Sequence, residues 1–339
     1  MSSPSAAVAT EESIRELTLS QAVNEALAEE LRRDASVFVI GEDVAEAGTP
    51  FKVLSGLLEE FGPQRIIDSP ISEAGIAGLA LGAAMTGMRP VVDIMFGDFM
   101  TLVMDQLVNQ AAKIHYMSGG RLNAPLTIRT TLGATRRSAA QHSQSLHALV
   151  AHVPGLKVVL PATPFDAKGL FKAAIRDDNP VVVFEDKMMF AVKGRVPAEE
   201  YVLPLGVADV KREGEDVTLV ATSSMVYVAL DAAEQLAADG IAAEVVDPRT
   251  LVPLDRDTIV GSARKTGRVI VVDEGHRSFG VGAELAAMIA EDAFYDLDAP
   301  VRRLCAMDVP IPFSPVLEDL TVPTVDTVAA AARALVGRR

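Results

Sequence analysis

The chain has 339 residues, of which 49% are hydrophobic, and a formal net charge of −15. This length suits two domains of roughly 100–200 residues each, and the acidic surface disfavours binding to the phosphate backbone of a nucleic acid. The single cysteine, Cys305, excludes an intrachain disulfide and fits a reducing compartment.

Residues 1–14 are small and mostly polar, without a basic segment followed by an apolar one. We therefore expect a disordered tail rather than a signal peptide. The longest weakly polar run, Ile76 to Met88, has about 13 residues and is rich in glycine. It is shorter than the roughly 20 residues that a membrane-spanning helix needs, so we expect a cytoplasmic protein with no membrane segment.

Short β-branched segments alternate with longer segments of helical spacing in the first half of the chain, which is typical of parallel α/β units. The predicted strands are Val37–Ile40, Arg89–Phe96, Leu126–Thr130, Lys157–Leu160 and Val181–Glu185. The predicted helices are Ser72–Thr86, Phe99–Met117, Gln144–His152 and Pro164–Arg176. Residues 191–214 show no sustained periodicity, and we expect a linker that crosses between two domains there.

The same alternation resumes after this segment. The predicted strands are Val217–Thr222, Ala242–Pro248, Arg268–Val272 and Val301–Leu304, and the predicted helices are Met225–Asp239, Val281–Ala290 and Val325–Leu335. The expected fold class is α/β with two doubly wound domains, which we place at residues 15–200 and 201–339. Neither carries a GxGxxG or GxxxxGK(S/T) phosphate loop, and GVGAE at Gly280–Glu284 is only a partial match.

The segment DSPISEAGIAG places Glu73 in the first turn of a predicted helix. One interpretation is a structural helix-start acid, because the positive end of the helix dipole stabilises a carboxylate there. The functional interpretation requires a carboxyl group in a dry cleft between subunits that shares a proton with a ring nitrogen. Burial in such a cleft raises the pKa of a carboxyl group and opposes the effect of the dipole.

An aromatic residue, Phe99, begins a block in which Val103, Leu107 and Ala111 follow at helical spacing. This spacing predicts an amphipathic helix that packs against a core or a subunit interface. Phe99 is therefore either a core residue or an aromatic that stacks on a flat heterocycle.

Three of the five histidines, His142, His147 and His152, fall within one short stretch. Their spacing does not place them on one helix face, and no carboxylate lies in metal-ligand register, so a zinc site is not predicted. His142 follows a loop rich in Gly, Thr and Ser, and we expect it to be exposed at a turn, where functional side chains are common. No G-x-S-x-G motif surrounds a serine.

The segment AIRDDNP, Ala174 to Pro180, marks the end of a predicted helix. Its free carbonyl groups, together with Asp177 and Asn179, favour a cation, although most such helix ends bind only water.

Several segments together resemble the β subunits of the 2-oxo acid dehydrogenases, a branch of the transketolase-like thiamine enzymes. They are GEDVAEAGTPFKVLSGLLEEFGPQRIIDSPISEAGIAG, NQAAKIHYMSGG, AAQHSQ, PGLKVVLPATPFDAKGL and AIRDDNPVVVFE. The resemblance implies a pyrimidine-binding domain, a transketolase C-terminal domain and an α2β2 heterotetramer that binds thiamine diphosphate between α and β chains. The family's diphosphate- and Mg²⁺-binding motif belongs to the α subunit, and this sequence lacks it, as expected of a β chain.

The resemblance also implies site residues. Glu73 matches the catalytic acid that hydrogen-bonds the aminopyrimidine ring of the cofactor, and His142 matches the active-site histidine of the HSQ motif. Ile71, in the adjoining loop, and Phe99, against the same ring, match cofactor contacts. Positions at which some relatives bind K⁺, chiefly through backbone carbonyl groups, match Leu126, Ala174, Ile175, Asp177 and Asn179.

The chemistry that the resemblance implies explains these residue types. Glu73 would favour the imino tautomer of the cofactor, which exposes a carbanion that attacks the carbonyl group of a small substrate. The acyl group would pass to a lipoyl group on a separate acyltransferase. His142 is a candidate proton donor to the opening dithiolane.

The substrate stays open between pyruvate and acetoin. AAQHSQ and PFSPVLEDLTVP are more similar to pyruvate and acetoin dehydrogenase subunits than to the branched-chain type, which tends to carry YHSQSPE where this chain has QHSQSLH. Arg136 and Arg137 depart from the Gly-rich loop of many relatives. They either meet a substrate carboxylate, which would favour a 2-oxo acid, or are solvated or bind the α chain.

Two alternative functions are weighed against this one. A non-catalytic subunit would only dock the acyltransferase core and brace the α subunit, and the intact Glu73 and His142 disfavour it. A fragment of a single-chain transketolase or deoxysugar synthase is disfavoured because a two-domain chain of that kind would carry the diphosphate motif.

Overall fold

The computed structural model describes residues 14–337. The tail predicted for residues 1–14 lies outside this range except for Ile14, which begins the first strand and therefore does not belong to a tail. Among the helices of residues 14–337, none is long and apolar enough to cross a membrane.

The strands follow one another along both halves of the chain. They are β1 (Ile14–Thr18), β2 (Val37–Gly41), β3 (Ile66–Asp68), β4 (Arg89–Ile94), β5 (Thr127–Leu132), β6 (Lys157–Val159), β7 (Val181–Asp186), β8 (Lys193–Pro197), β9 (Asp209–Arg212), β10 (Val217–Ala221), β11 (Ala243–Asp247), β12 (Thr250–Val252), β13 (Val269–His276) and β14 (Arg302–Ala306).

The α-helices alternate with these strands. They are α1 (Leu19–Arg33), α2 (Leu57–Phe61), α3 (Glu73–Met85), α4 (Ala112–Met117), α5 (His147–Ala151), α6 (Pro164–Arg176), α7 (Met225–Ala238), α8 (Arg256–Thr266), α9 (Val281–Asp292), α10 (Pro315–Glu318) and α11 (Val325–Val336). Short 3₁₀ helices span Gly97–Val103 and Phe294–Asp296, and a π helix spans Asp105–Ala111.

Two sheets organise the chain, as the predicted α/β class requires. The first has the order β12-β6-β7-β5-β4-β2-β3, and all of its neighbouring strands are parallel except β12, which pairs antiparallel with β6. The second has the order β14-β13-β10-β11-β9, in which only β9 is antiparallel. Strands β1 and β8 form a separate antiparallel pair.

The parallel strands are buried on both faces because helices cover both sides of each sheet. In β2, Phe38 and Ile40 belong to one hydrophobic core and Val37 and Val39 to another. This division follows from the alternation of side chains along a strand. The helix α1 covers the second of these cores, and its start is set by a capping box in which Thr18 accepts a hydrogen bond from the backbone of Gln21.

The linker predicted for residues 191–214 was wrong in part, because it contains β8 and β9. Both are short edge strands, and their side chains are mostly exposed or only partly buried. Such strands carry little hydrophobic alternation, and they form because β1 and β11 offer unpaired backbone groups. In addition, β12 lies beyond the predicted boundary in sequence but pairs with the first sheet.

The single helix predicted at Phe99–Met117 was also wrong. The segment is divided into the 3₁₀ helix, the π helix and α4. Val103, Leu107 and Ala111 are all buried, and their strict four-residue spacing drifts around an α-helix of 3.6 residues per turn. Val103 ends the 3₁₀ helix, whereas Leu107 and Ala111 lie in the π helix, whose turn is wider than that of an α-helix.

Candidate active site

The carboxyl ends of neighbouring parallel strands bring the predicted site residues to one edge of the first sheet. In the order β3-β2-β4-β5-β7, these strands are followed along the chain by Glu73, Glu42, Phe99, His142 and Lys187 respectively. Ligand sites in α/β sheets form at this edge. Residues as far apart in the sequence as Glu42 and Lys187 therefore lie along a single edge.

Glu73 is the first residue of α3 and is partly buried. Beside it lies Glu42, a residue that sequence reasoning missed. A carboxylate oxygen of Glu42 accepts a hydrogen bond of 3.2 Å from the backbone N–H of Ser72. Burial, and then the charge of Glu73, raise the pKa of Glu42. The feature of the sequence that could have identified Glu42 is its position in the GED triplet, Gly41–Asp43, at the end of a buried strand.

The two predicted cofactor contacts have different surroundings. The side chain of Ile71 is 84% exposed. Phe99 is partly buried, and its ring lies 5.9 Å from that of Phe96 in an edge-to-face arrangement. An exposed aliphatic residue beside a partly buried acid leaves this side of the site open to a further molecule.

The loop between β5 and α5 brings His142 next to Phe99. His142 lies in a bend and is partly buried, with its ring 4.6 Å from that of Phe96 and 5.4 Å from that of Phe99. The backbone and the side-chain amide of Gln144 donate hydrogen bonds of 3.2 and 2.9 Å to buried Asp98. The HSQ segment is thus tied to the 3₁₀ helix that carries Phe99.

Lys187 is a second residue that sequence reasoning missed. Its side chain is buried, its ammonium group donates to the backbone carbonyl of His142, and burial lowers the pKa of this lysine. A lysine directly after the buried strand β7 was the only available signal.

A buried ion cluster holds three strands together beneath this edge. The guanidinium of Arg129 donates two hydrogen bonds, of 2.9 and 2.6 Å, to Glu185 and pairs with Asp93. Burial raises the pKa of Asp93, although Arg129 opposes this shift. Because the residues lie on β4, β5 and β7, the cluster fixes the strands from which the site loops emerge.

Both arginines of the loop are bound to groups of this chain. Arg137 donates to Glu318 and Asp319, at 2.7 Å in each case, and Arg136 donates to the backbone carbonyl of Lys187 at 3.1 and 2.7 Å. The interpretation that they are simply solvated is wrong for Arg137. Glu318 and Asp319 also compete with any substrate carboxylate for the guanidinium group of Arg137. This competition weakens the argument for a 2-oxo acid as the substrate.

The residues matched to a potassium site lie around the end of α6. The carbonyl groups of Ile175 and Asp177 accept hydrogen bonds of 3.1 and 3.0 Å from Arg89. The backbone N–H of Val181 donates to the carbonyl of Leu126 at 2.9 Å, and that of Asp177 donates to the carbonyl of Ala174 at 3.3 Å. The side chain of Asn179 donates to the Asp177 carboxylate at 3.0 Å.

Each carbonyl oxygen at this site retains a second lone pair, and Arg89 already supplies positive charge there. Over residues 14–337, no group of three or more His, Cys, Asp or Glu side chains could hold a metal ion.

Two family models cover most of the chain. The model for the pyrimidine-binding domain of transketolase covers residues 15–192, and the model for the transketolase C-terminal domain covers residues 206–328. A solved structure described as "Split gene transketolase, inactive beta4 tetramer" superposes with a TM-score of 0.77 at 26% identity, covering 95% of this chain and 98% of that chain. The predicted fold class is thereby confirmed.

Curated relatives are similar over nearly the full length. The acetoin:2,6-dichlorophenolindophenol oxidoreductase subunit beta of Bacillus subtilis (strain 168) is 49% identical, covering 95% of this chain and 98% of that one. The 2-oxoisovalerate dehydrogenase subunit beta of the same organism is 47% identical, with coverages of 93% and 97%. The pyruvate dehydrogenase E1 component subunit beta of Rhizobium meliloti (strain 1021) is 46% identical, with coverages of 94% and 70%.

Proposed function

From the premise that this chain belongs to the family of β subunits of 2-oxo acid and acetoin dehydrogenases, with transketolase-type domains, we propose that it is one half of a thiamine-diphosphate-dependent active site. The reaction cleaves a C–C bond beside a carbonyl group and transfers the acyl group to lipoamide. Activity requires an α subunit in an α2β2 heterotetramer.

The observation that carries this proposal is the open side of the site around Glu73. Ile71, two residues before Glu73, and Leu79, on α3, have side chains that are 84% and 57% exposed. Exposed apolar side chains beside a partly buried acid are typical of an interface that a partner covers. Covering it would also remove water from the carboxyl group of Glu73.

Within this half-site, each residue has a defined task. The carboxyl group of Glu73 shares a proton with a ring nitrogen of the cofactor. Glu42, whose pKa is raised, provides a second carboxyl group next to Glu73. Phe99 supplies an apolar wall, and Ile71 shields the ring from water. When bound, thiamine diphosphate supplies a carbanion that attacks carbonyl carbon and acts as an electron sink.

His142 is placed to act in the second half of the reaction. Its ring lies against Phe96 and Phe99, on the same strand edge as Glu73. An imidazole N–H can act as a general acid and donate a proton to a leaving sulfur of the lipoyl group. A separate acyltransferase carries that lipoyl group.

The metal ions are assigned to different places. Mg²⁺ is bound by the α subunit together with the diphosphate of the cofactor. We assign K⁺ to the carbonyl groups near Leu126, Ala174, Ile175, Asp177 and Asn179, where it would have to coexist with Arg89. A higher melting temperature in KCl than in an equal concentration of choline chloride supports this K⁺ site, and equal melting temperatures argue against it.

Acetoin or pyruvate is the proposed substrate, and the cytoplasm the proposed location. Relatives named for acetoin, 2-oxoisovalerate and pyruvate dehydrogenases are 49%, 47% and 46% identical, so identity alone does not rank them. The engagement of Arg137 by Glu318 and Asp319 leaves no argument from this residue for an acidic substrate. Rates with acetoin, pyruvate and 2-oxoisovalerate, measured on one preparation, decide the question.

A reconstitution experiment tests the proposal. The purified chain with thiamine diphosphate and Mg²⁺ should show no cleavage of acetoin or of a 2-oxo acid, and adding the α subunit should produce it. Turnover by rigorously α-free chain would contradict the shared site. An assembled tetramer without activity would favour the non-catalytic scaffold.

A further inference from the structure

The loop that carries His142 has an unfavourable backbone. Between β5 and His142, Gly133, Thr135, Arg137 and Ala139 have φ values of 105°, 69°, 58° and 59°. For residues other than glycine this left-handed region is unfavourable, because it brings the Cβ atom too close to a backbone carbonyl oxygen. Three such residues in one loop keep this conformation only if contacts with the surrounding structure impose it.

The second domain supplies several of these contacts, as hydrogen bonds to buried carboxyl groups. The side chain of Glu318, at the end of α10, is fully buried. One of its oxygens accepts a 2.6 Å hydrogen bond from the backbone N–H of Thr135, and the other accepts one of 2.7 Å from Arg137. Glu274, on β13, accepts a 2.6 Å hydrogen bond from the backbone N–H of Ala134.

The first domain holds the other side of the loop. Lys187 donates to the backbone carbonyl of His142, and its own carbonyl accepts from Arg136. The loop from Gly133 to His142 is therefore held by the second domain near its beginning, and by Lys187 of the first domain at Arg136 and at its end.

We propose that Glu318 is a positioning residue for His142: its carboxylate clasps Thr135 and Arg137 and so sets the conformation of the catalytic loop from the other domain. The two bonds to Glu318 differ in function. The bond from Thr135 fixes the backbone, and the bond from Arg137 neutralises the buried carboxylate. Asp319 reinforces Arg137 from the surface at 2.7 Å. The catalytic importance of this clasp rests on the role proposed for His142.

Arg137→Gly is the most informative variant. Glycine adopts a positive φ without strain, so the substitution removes the guanidinium group while leaving the backbone geometry available. Glu318→Gln is the complementary variant, because the amide keeps an acceptor for Thr135 but loses the charge that pairs with Arg137. Arg333→Gln is the matched control, since it breaks an exposed ion pair with Asp239 elsewhere in the second domain.

The first measurement is hydrogen exchange of peptides that span residues 133–143, together with the NMR signal of the ¹³C-labelled His142 ring, both on the full chain. His142→Ala assigns the signal. We expect Arg137→Gly and Glu318→Gln to accelerate loop exchange by about tenfold or more and to shift the His142 signal. The control should do neither. Wild-type exchange and an unmoved signal in Arg137→Gly would overturn the clasp, even if Glu318→Gln failed to fold.

The second measurement separates the clasp from the proposed function. In the assembled tetramer, Arg137→Gly should lower the lipoyl-dependent rate by roughly tenfold to a hundredfold while cleavage with an artificial electron acceptor falls far less. Equal losses in both assays, with a loosened loop, would overturn the positioning role in acyl transfer. If His142→Ala lowers the two rates equally, the proposed role of His142 in acyl transfer is rejected. The exchange data alone then decide whether Glu318 holds the loop.

Discussion

His147 and Asp273 form a hydrogen bond of 3.1 Å that joins α5 of the first domain to β13 of the second. Both side chains are only 1% exposed. The carboxylate also accepts hydrogen bonds from the Thr222 hydroxyl at 2.5 Å and from the Gly275 backbone at 3.1 Å. Burial pushes the pKa of Asp273 upwards, but His147 and these donors together hold it below its usual range.

The His147→Leu variant should be less stable, because it removes a hydrogen-bond donor from the buried carboxylate of Asp273 and leaves its negative charge less well compensated. We expect the free energy of unfolding at pH 7 to fall by about 1–3 kcal/mol. Urea unfolding measures this loss, and His152→Leu, at the exposed end of the same helix, is the control. Equal effects of the two substitutions would show that the contact contributes nothing specific.

The pH dependence of this contact has a defined sign. Because the folded-state pKa of Asp273 is lowered, its stabilisation is present above the unfolded pKa of about 3.9 and is lost as the pH falls through the folded value. The wild type should therefore keep this contribution down to about pH 4. His147→Leu should lose stability at a higher pH, and parallel pH profiles for the two proteins would contradict this explanation.

For Asp247 we expect stability to change with pH in the opposite direction. Burial, together with the nearby Asp166, raises its pKa to about 7, although Lys211 and Arg249 oppose the shift. The folded state then binds more protons than the unfolded state between about pH 4 and 7, so stability falls as the pH rises through that range, by at most about 4 kcal/mol. Asp247→Asn should flatten this part of the unfolding profile. An unchanged slope would assign the titration to another group.

Glu73→Gln should preserve the fold and nearly abolish activation of the cofactor. The amide has almost the same shape, but it cannot share a proton with the ring nitrogen in the same way. Loss of a proton-transfer group costs roughly 10²–10⁴ in rate. Exchange of the thiazolium proton in the assembled protein measures the loss, with Glu59→Gln on the exposed side of α2 as control. Near wild-type exchange would leave Glu73 as a structural helix-start acid.

His142→Ala should affect the two half-reactions unequally. Cleavage followed with an artificial electron acceptor depends on Glu73 and the cofactor, and it should fall modestly. The lipoyl-dependent rate needs a proton on a leaving sulfur, and it should fall by roughly 10²-fold or more. His152→Ala and the melting temperature are the controls. A structural histidine would instead lower both rates together and reduce the melting temperature.

Gly82→Leu should separate stability from assembly. A Cβ atom added at Gly82 meets nothing within 4 Å in the chain, and replacing a helical glycine gains about 0.8–1 kcal/mol in helix propensity. The chain alone should keep or raise its melting temperature, whereas close packing of α3 against a partner should be blocked. Sedimentation with the α subunit tests this. Wild-type assembly would show that this face of α3 is not part of the interface.

Local patterns were sufficient for most of the elements that position the site. The helix predicted at Pro164–Arg176 agrees with α6 at both ends, because Thr163 caps it and Pro164 fits its first turn. The helix that starts with Glu73 was predicted within one residue at each end. Edge strands such as β8 and β9 were missed, since their pairing partners lie far away in the sequence and their exposed side chains carry no alternation.

The sequence by itself determined the α/β class, the alternation of buried strands and helices, and Glu73, Phe99 and His142 as candidates by resemblance. The class and the alternation rest on patterns within a few tens of residues, where hydrophobic spacing acts locally, whereas the three candidates rest on several segments taken together. Only the tertiary structure decided that Arg137 is bound by Glu318 and that His147 contacts Asp273. Those contacts join residues 181 and 126 positions apart, and no local pattern records them, because they arise only when the two sheets pack together.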